Sequence, residues 1–425
     1  MRPYAEALSA AFLLATFILG GNTNAQGVDS SLSYRPKNSP QVKGYFPSWN
    51  ADSQPPSKID WSSYTDVLYF TMIPHANFTL AYDPIYTWAQ GEQLVKEFVA
   101  QARKNRVNPH FSAGGWTGSR HFSILTRTDA SRKRFAKLLV DFGKRHSFSG
   151  IEMDWEYANG QGIGCNTKDP ADVVNFGLLV KEIRALWPNV MITAALSLNG
   201  FIGADGKPAT TKETALLAQH LDYVNLMAYD VYGPWAPTTG PLAPLHATCA
   251  PSAYAQSVET GVQIALKQGF KPLQIILGIP GYAKRLQLAS PKLVPTKTNG
   301  QWSYYYQNHT GQTPPGGQHD DKPGVDICGN QQHWGGSFRV NELISQGWLS
   351  ADEKTGHGGY TRHWDACSGQ PFLTDGKYFI TYDDQYSSVA KAQYAKQNKL
   401  GGIYFFDTMG PTSRTVAAAG EVIRK

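Results

Sequence analysis

Charged residues are scarce in this sequence: they make up 17% of its 425 residues, against roughly 25% in typical soluble domains. The net charge is only +6, and there is no run of five like charges of the kind found in nucleic-acid-binding tails. Beyond an N-terminal apolar stretch, no segment reaches the ~18 consecutive apolar residues of a membrane span. Hydrophobic residues reach 41% and glycine, proline and aromatic residues are plentiful, which excludes a disordered, coiled-coil or collagenous chain. We therefore expect a globular protein that binds neither nucleic acid nor membrane.

The first 25 residues have the character of a secretory signal peptide. Arg2 precedes an apolar stretch from Ala7 to Leu19, and small residues from Thr23 to Ala25 suit cleavage before Gln26. We expect residues 1–25 to be removed and residues 26–425 to be secreted to the extracellular medium. Two sequons would then be open to glycosylation: Asn77-Phe78-Thr79 and Asn308-His309-Thr310.

Cysteine is also scarce. The four cysteines are Cys165, Cys249, Cys328 and Cys367. None belongs to a Cys-x-x-Cys pair, so in an oxidising compartment they are expected to form two disulfides rather than a metal site. Three pairings are possible. The eleven histidines show no metal-like spacing, and we expect neither a metal nor a cofactor.

Short apolar runs alternate with segments of helical periodicity from residue 43 onward, which is the pattern of parallel strands joined by helices. The predicted strands are Gly44 to Phe46, Asp66 to Met72, Pro109 to Ser112, Gly150 to Asp154, Met191 to Leu196, Tyr223 to Ala228, Ile275 to Ile279 and Gly402 to Phe406. The predicted helices are Glu92 to Lys104, Ala130 to Arg145, Ala171 to Leu186, Ala253 to Gln268, Val389 to Gln397 and Thr415 to Arg424. The first unit lacks a clear helix. Eight such units predict an α/β fold, a (β/α)8 TIM barrel.

The segment between the seventh and eighth predicted strands is far longer than the 2 to 6 residues usual in a βα loop. It is rich in glycine, proline, tyrosine and tryptophan. We interpret residues 285–378 as a small α+β insertion, mainly β. Because Cys328 and Cys367 both lie in it, we expect them to pair, which leaves Cys165 to pair with Cys249 by elimination.

The fourth predicted strand carries three acids. Side chains alternate between the two faces of a strand, so Glu152, Asp154 and Glu156 share one face while Ile151 and its apolar neighbours share the other. In a barrel the apolar face packs under the helices, which places the acids in the interior and towards the C-terminal mouth. Three ionised carboxylates there would repel each other, so at least one pKa should be raised. The alternative is an antiparallel strand with its acids in solvent.

This strand resembles the Asp-x-x-Asp-x-Asp-x-Glu signature of family 18 glycoside hydrolases, the chitinases and their relatives. The resemblance extends over nearly the whole mature chain, and the insertion resembles the chitinase insertion domain of one branch of the family. Other matching stretches are Ser112 to Thr117, Met227 to Asp230, Thr239 to Leu245, Tyr382 to Asp384 and Leu400 to Phe406.

The resemblance implies a set of catalytic roles. Glu156 would protonate the glycosidic oxygen and then activate water, while the substrate's own N-acetyl group attacks the anomeric carbon. Asp154, which would share a proton with Glu152, would stabilise the oxazolinium formed. Tyr229 would hydrogen-bond the acetamide oxygen, and Asp230 would contact the distorted sugar.

The resemblance also implies residues that bind the substrate or support the acids. Tyr45 and Ser112 would support the acidic strand from below. Trp116, Trp235 and Phe406 would offer faces on which sugar rings stack. The remaining predicted substrate-binding residues are Gly114, Gly115, Thr117, Tyr157 and Met227.

Five positions depart from the family pattern. Ser149 and Glu152 stand where the signature has aspartates, and Phe406 stands where the family usually has tryptophan. Ala283-Lys284 replaces a common Gly-Arg pair. We expect these changes to affect rate and substrate range rather than the class of reaction.

The function that the resemblance implies is that of a secreted, monomeric chitinase acting on chitin or N-acetylglucosamine oligosaccharides. One alternative is a non-catalytic chitin-binding lectin of the same fold, against which the retained Glu156 argues. Another is an endo-β-N-acetylglucosaminidase acting on glycoprotein glycans, which usually lacks the insertion.

Overall fold

The computed structural model describes residues 39–425, so the predicted signal peptide lies outside the described residues. Eight parallel strands form a closed barrel, because each pairs with the next and the last pairs with the first. The strands are β1 (Gln41–Pro47), β2 (Asp66–His75), β3 (Asn108–Gly114), β4 (Gly150–Asp154), β5 (Met191–Ser197), β6 (Tyr223–Met227), β7 (Ile275–Pro280) and β8 (Gly402–Phe406). The predicted (β/α)8 barrel is confirmed, with all eight apolar runs as its strands.

Helices follow most of the barrel strands, and one further helix lies in the long segment between β7 and β8. They are α1 (Trp88–Lys104), α2 (Phe122–Thr126), α3 (Asp129–Arg145), α4 (Asp172–Leu186), α5 (Thr211–His220), α6 (Val258–Lys267), α7 (Val340–Ser345), α8 (Gln385–Gln397) and α9 (Ser413–Arg424). As predicted, the first unit has no α-helix; three short 3-10 turns join β1 to β2 (Ser48–Asn50, Pro56–Lys58 and Trp61–Ser63). Within residues 39–425, none of the helices combines the length and apolar character needed to cross a membrane.

Helices α2, α5 and α7 were not predicted, and helix α6 begins later than predicted. Helix α5 was not predicted, because it buries only Thr214 and Leu217 and so has almost no apolar periodicity. Its start is nevertheless encoded by a capping box, in which Thr210 and Glu213 satisfy each other's backbone N–H groups. Helix α6 begins at Val258 rather than at residue 253, since the Ser257 side chain caps it there.

The outer face of β4 packs under the helices as predicted. Ile151, Met153 and Trp155 are buried in the main hydrophobic core. The Trp155 ring stacks on Phe122 and tilts against Phe176 of α4. This packing fixes the alternation of the strand, so the acids of β4 face the barrel interior.

A five-stranded antiparallel sheet lies between β7 and β8. In spatial order its strands are Ser337–Arg339, Tyr282–Gln287, Tyr378–Thr381, Gln370–Thr374 and Thr361–Asp365. Helix α7 packs on it around a separate core that contains Phe338, Leu343 and Leu373. Two small hairpins project from it, Thr296–Thr298 with Gln301–Ser303 and Gly324–Val325 with Gln331–Gln332. We call residues 282–381 the insertion.

The predicted disulfide pairing is wrong, although the four cysteines do form two disulfides. Cys165 pairs with Cys328, and Cys249 pairs with Cys367. The prediction paired cysteines within one region of the chain, but the insertion packs directly on the barrel loops. Backbone N–H groups of Leu245 and His246, for example, donate to the carbonyl of Ser368, at 2.8 and 3.2 Å. Each disulfide therefore fastens the insertion to a barrel loop.

Glu353 makes a further connection between the insertion and the barrel. Its fully buried carboxylate accepts hydrogen bonds from the backbone N–H of Gln385, at 2.6 Å, at the start of α8. It also accepts from the hydroxyls of Thr412 and Thr415, at 2.6 and 2.8 Å, at the start of α9. A negative charge at two helix N-termini stabilises both helices.

Candidate active site

The three acids of the β4 region lie at increasing height in the barrel. Glu152 is fully buried, and its Oε1 accepts hydrogen bonds from the Tyr45 hydroxyl and, at 2.7 Å, from Asn225 Nδ2. Asp154 is buried above it. Glu156, just beyond the end of the strand, is half-buried and borders an open groove. The deepest acid is therefore held by fixed donors, and the outermost one can reach a ligand.

Burial raises the pKa of all three carboxyl groups. For Glu152 the hydrogen bonds from Tyr45 and Asn225 oppose that rise. For Asp154 the charges of Glu156 and Glu152 add to burial and hold the pKa well above its ordinary value. For Glu156 burial, followed by the charges of Asp230 and Glu152, raises the pKa to about 7. A carboxyl group with that pKa can both donate and accept a proton near neutrality.

The turn after β3 holds the end of β4 in place. Gly114 has a φ of +117°, and a Cβ there would lie 2.1 Å from the carbonyl oxygen of Asp154, so only glycine fits. The same carbonyl accepts a hydrogen bond from the backbone N–H of Gly115 at 2.8 Å. Ser119 Oγ accepts the backbone N–H of Glu156 at 2.9 Å. These contacts fix the backbone on both sides of the acids.

The groove at the C-terminal ends of the strands has a volume of about 690 Å³. Of the predicted site residues, Tyr45, Gly114, Gly115, Trp116, Thr117, Asp154, Glu156, Tyr157, Met227, Tyr229, Asp230 and Phe406 line it. Glu152 and Ser112 are buried beneath the groove. Trp235 lines an adjoining depression that shares Asp230 with the groove. All the predicted residues therefore gather at one end of the barrel.

Exposed aromatic rings and the insertion border the groove and the depression beside it. The Trp116 and Trp235 side chains are 47% and 57% exposed, which leaves their faces open to a ligand. On the insertion side, Lys284 Nζ donates to Ser337 Oγ at 2.7 Å and lies 5.8 Å from the centre of the Trp235 ring. Arg339 pairs with Asp407, just after β8. Both the barrel and the insertion therefore shape this site.

Several residues in or beneath the groove were not predicted. Asn225 donates to Glu152, the Tyr282 hydroxyl donates to Asp230 at 2.8 Å, and the Tyr404 hydroxyl lies 2.9 Å from that of Tyr229. Trp49 also lines the groove. Asn225 and Tyr404 could have been found, because alternation along β6 and β8 places them on the same interior face as Met227 and Phe406.

Nowhere in residues 39–425 do three His, Cys, Asp or Glu side chains lie close enough together to hold a metal ion. The prediction that the protein needs no metal stays a prediction.

Comparison with known proteins identifies the family. The profile of "Glycosyl hydrolases family 18" matches residues 41–410. The chain belongs to this family. A "chitinase-like effector" from Moniliophthora roreri is 33% identical over 372 residues, which are 87% of this chain and 89% of the relative. Chitinase A1 from Niallia circulans is 29% identical over 86% of this chain and 51% of its own length. The crystal structure of a Rhizomucor miehei chitinase superposes with a TM-score of 0.77 at 26% identity, covering 91% of this chain and all of that one.

The departures from the family 18 signature have distinct surroundings. Ser149 lies just before β4 and is partly exposed, and its backbone N–H donates to Pro109 at 2.7 Å. The longer side chain of Glu152 bonds Tyr45 and Asn225 rather than crowding the strand. Phe406 packs edge-on against Phe70, with ring centres 5.4 Å apart. Lys284 lies within the insertion, where its Nζ donates to Ser337 Oγ.

Proposed function

We propose that this protein is a secreted chitinase that hydrolyses β-1,4 bonds between N-acetylglucosamine units, with retention of configuration and Glu156 as the acid and base. Family membership supports the reaction class. The observation that carries the proposal is Glu156 at the edge of the groove, with a pKa of about 7, directly above the buried Asp154.

The proposed reaction has two steps. Glu156 donates its proton to the glycosidic oxygen while the acetamide oxygen attacks the anomeric carbon, so the glycosidic bond breaks and an oxazolinium forms. Glu156 then takes a proton from water, which attacks the same carbon and reopens the ring. Asp154 stabilises the positive oxazolinium. Its Oδ1 has no hydrogen-bond partner among residues 39–425 and so remains free for the acetamide N–H.

Tyr229 completes the acetamide site in this proposal, and Asp230 contacts the sugar ring beside it. Trp116, Trp235 and Phe406 supply apolar faces for sugar rings, which leave the polar ring edges free to hydrogen-bond. The predicted signal peptide and the two disulfides support secretion. We further propose that the protein acts as a monomer.

Product analysis on N-acetylated chitooligosaccharides of several lengths tests the proposal. We expect cleavage with β-anomeric products at first, because two displacements at one carbon retain its configuration. Cello-oligosaccharides and fully deacetylated chitosan lack the acetamide and should not react. Efficient cleavage of either, or release of α-anomers, would contradict the substrate-assisted mechanism.

A second candidate function is binding of chitin fragments without hydrolysis. It is favoured by one observation, the 33% identity to a relative named "chitinase-like effector". Tight binding of chitooligosaccharides by a wild-type protein that releases no product over a long incubation would favour this function. The third reading, an endo-β-N-acetylglucosaminidase, fits less well because a full five-stranded insertion borders the groove.

A further inference from the structure

Tyr404 of β8 borders the groove at the barrel mouth, and no role has been assigned to it. Its side chain is buried, and its hydroxyl is 2.9 Å from the hydroxyl of Tyr229. Its ring lies 5.2 Å, centre to centre, from that of Tyr45. On the neighbouring strand, a Cβ at Gly278 would lie only 2.5 Å from the Tyr404 hydroxyl oxygen. The barrel therefore accommodates a phenol at this position by having no side chain beside it.

The two phenols share one hydrogen bond but carry two protons. Burial raises the pKa of both well above the ordinary value, so both stay protonated at working pH. Among residues 39–425, each of these hydroxyls has the other as its only hydrogen-bond partner. Both side chains border the groove, but Tyr404 is only 1% exposed, whereas Tyr229 is half-buried and has more of its surface open to the groove.

The direction of that bond follows from the cost of a buried donor without an acceptor, about 1 to 3 kcal/mol. If Tyr229 donated to Tyr404, the Tyr404 proton would be left without an acceptor inside the barrel. If Tyr404 donates, the Tyr229 proton is free and can point into the groove. The second arrangement leaves every buried donor satisfied.

We propose that Tyr404 is a positioning residue that donates to Tyr229 and thereby directs the Tyr229 proton at the acetamide oxygen of the substrate. This inference rests on the proposed function, because it assigns Tyr404 a part in organising the attacking acetamide. Tyr404 itself does not touch the reacting atoms; it acts through Tyr229.

A double-mutant cycle tests the inference with Tyr404→Phe, Tyr229→Phe and the double variant. Kinetics are measured on N-acetylchitotetraose. We expect Tyr404→Phe to lower kcat about tenfold, the worth of one oriented hydrogen bond, with KM changed less than about twofold. Because Tyr404 acts only through Tyr229, the double variant should be no slower than Tyr229→Phe alone. The inference would be overturned if the kcat losses of the two single variants multiplied in the double variant. It would also be overturned if Tyr404→Phe kept the kcat of the wild type.

Two controls separate this role from a structural one. Tyr305→Phe removes another fully buried phenol hydroxyl, which donates to Pro371 in the insertion at 2.5 Å, and it should leave kcat unchanged. Thermal unfolding of Tyr404→Phe should match that of Tyr305→Phe within a few degrees; a much larger loss would show that Tyr404 is structural.

Wild-type turnover tests the proposed function separately. If the wild type binds but does not cleave, the same cycle is measured on affinity for N-acetylchitotetraose. Non-additive losses there support the role of Tyr404, and additive losses contradict it.

Discussion

The interior of the barrel and the insertion border the same groove but differ in how they are built. Around Glu152 and Asp154 the interior is closed to solvent, and burial is the main cause of the raised carboxyl pKa values. The insertion has exposed aromatic side chains such as Trp302 and Trp364, and it is fastened to barrel loops by two disulfides. From this difference we expect substitutions in the barrel interior to change proton transfer, and changes to the insertion to affect mainly the binding of long ligands.

The largest effect is expected from removing the acid group in the barrel while the insertion is left unchanged. Glu156→Gln should lower kcat about 10²- to 10⁴-fold, because an amide cannot donate the proton that the leaving oxygen needs. Binding of chitooligosaccharides should survive, since the change is nearly isosteric. Glu421→Gln, on the exposed face of α9, is the matched control and should retain full activity. Hydrolysis by Glu156→Gln at a rate near that of the wild type would refute the assignment.

The pH dependence of activity tests the proton chemistry of the barrel separately from the insertion. Glu156 must be protonated to act as the acid, so kcat/KM on a short aryl glycoside should be level below pH 7. It should fall as pH rises through the pKa of about 7. Asp230→Asn removes a negative charge that raises this pKa, so the alkaline fall should begin at lower pH.

Asp129→Asn is the control for this shift, because Asp129 is exposed and pairs with Lys133 on the surface. Its profile should superimpose on that of the wild type. An alkaline fall that does not move in Asp230→Asn would show that another group controls it.

The third prediction loosens the insertion. Replacing both Cys165 and Cys328 by serine removes the bond between the loop after β4 and the hairpin of Gly324–Val325 and Gln331–Gln332. This loss should lower the unfolding free energy by about 2 to 4 kcal/mol. We expect KM for long chitooligosaccharides to rise several-fold more than KM for a short aryl glycoside. Equal losses on both substrates would show that the insertion supports the catalytic centre itself.

Replacing Cys249 and Cys367 by serine gives the matched control for that pair. This disulfide joins the insertion to a different loop, the one after β6, so the variant measures the loss of stability from removing a disulfide as such. An equal rise in KM for long substrates would show that the effect is not specific to the Cys165–Cys328 bond. Peptide mapping without reduction should recover the Cys165–Cys328 and Cys249–Cys367 peptides.

The smallest expected effect is a change in stability from replacing Lys43, a charged residue in the barrel interior. Lys43 is fully buried, and its Nζ lies 4.0 Å from the Met191 sulfur and 4.6 Å from the centre of the Tyr223 ring. Burial lowers its pKa and outweighs the attraction of the nearby carboxylates. Lys43→Met should therefore raise the unfolding free energy at pH 7, by about 1 kcal/mol for each pKa unit of that shift.

The sign of this effect depends on pH. The unfolded lysine keeps its proton below pH 10.5, so the gain should shrink as pH approaches that value. Urea unfolding at pH 7 and pH 10 measures it, with the exposed Lys137→Met as the control. A less stable Lys43→Met would mean that attraction to Asp66, Glu152 and Asp222 exceeds the cost of burial.

Local patterns predicted what local physics determines. Alternation on β4 placed Glu152 and Asp154 in the interior, and the eight apolar runs predicted the barrel. The disulfides could not be paired, because which thiols meet depends on how the insertion packs against loops more than a hundred residues away. Asn225 and Tyr404 were not predicted as site residues. Their strands, β6 and β8, lack the alternating acids that identified the interior face of β4.

The carboxylate of Glu353 bears on whether the insertion is a detachable module. A truncated barrel without residues 282–381 would lose not only one wall of the groove but also the acceptor for Gln385 N–H and for the hydroxyls of Thr412 and Thr415. Grafting a foreign insertion would have the same result unless it supplied an acid at the same place. In this protein, the start of each of the last two helices of the barrel depends on a carboxylate that the insertion supplies.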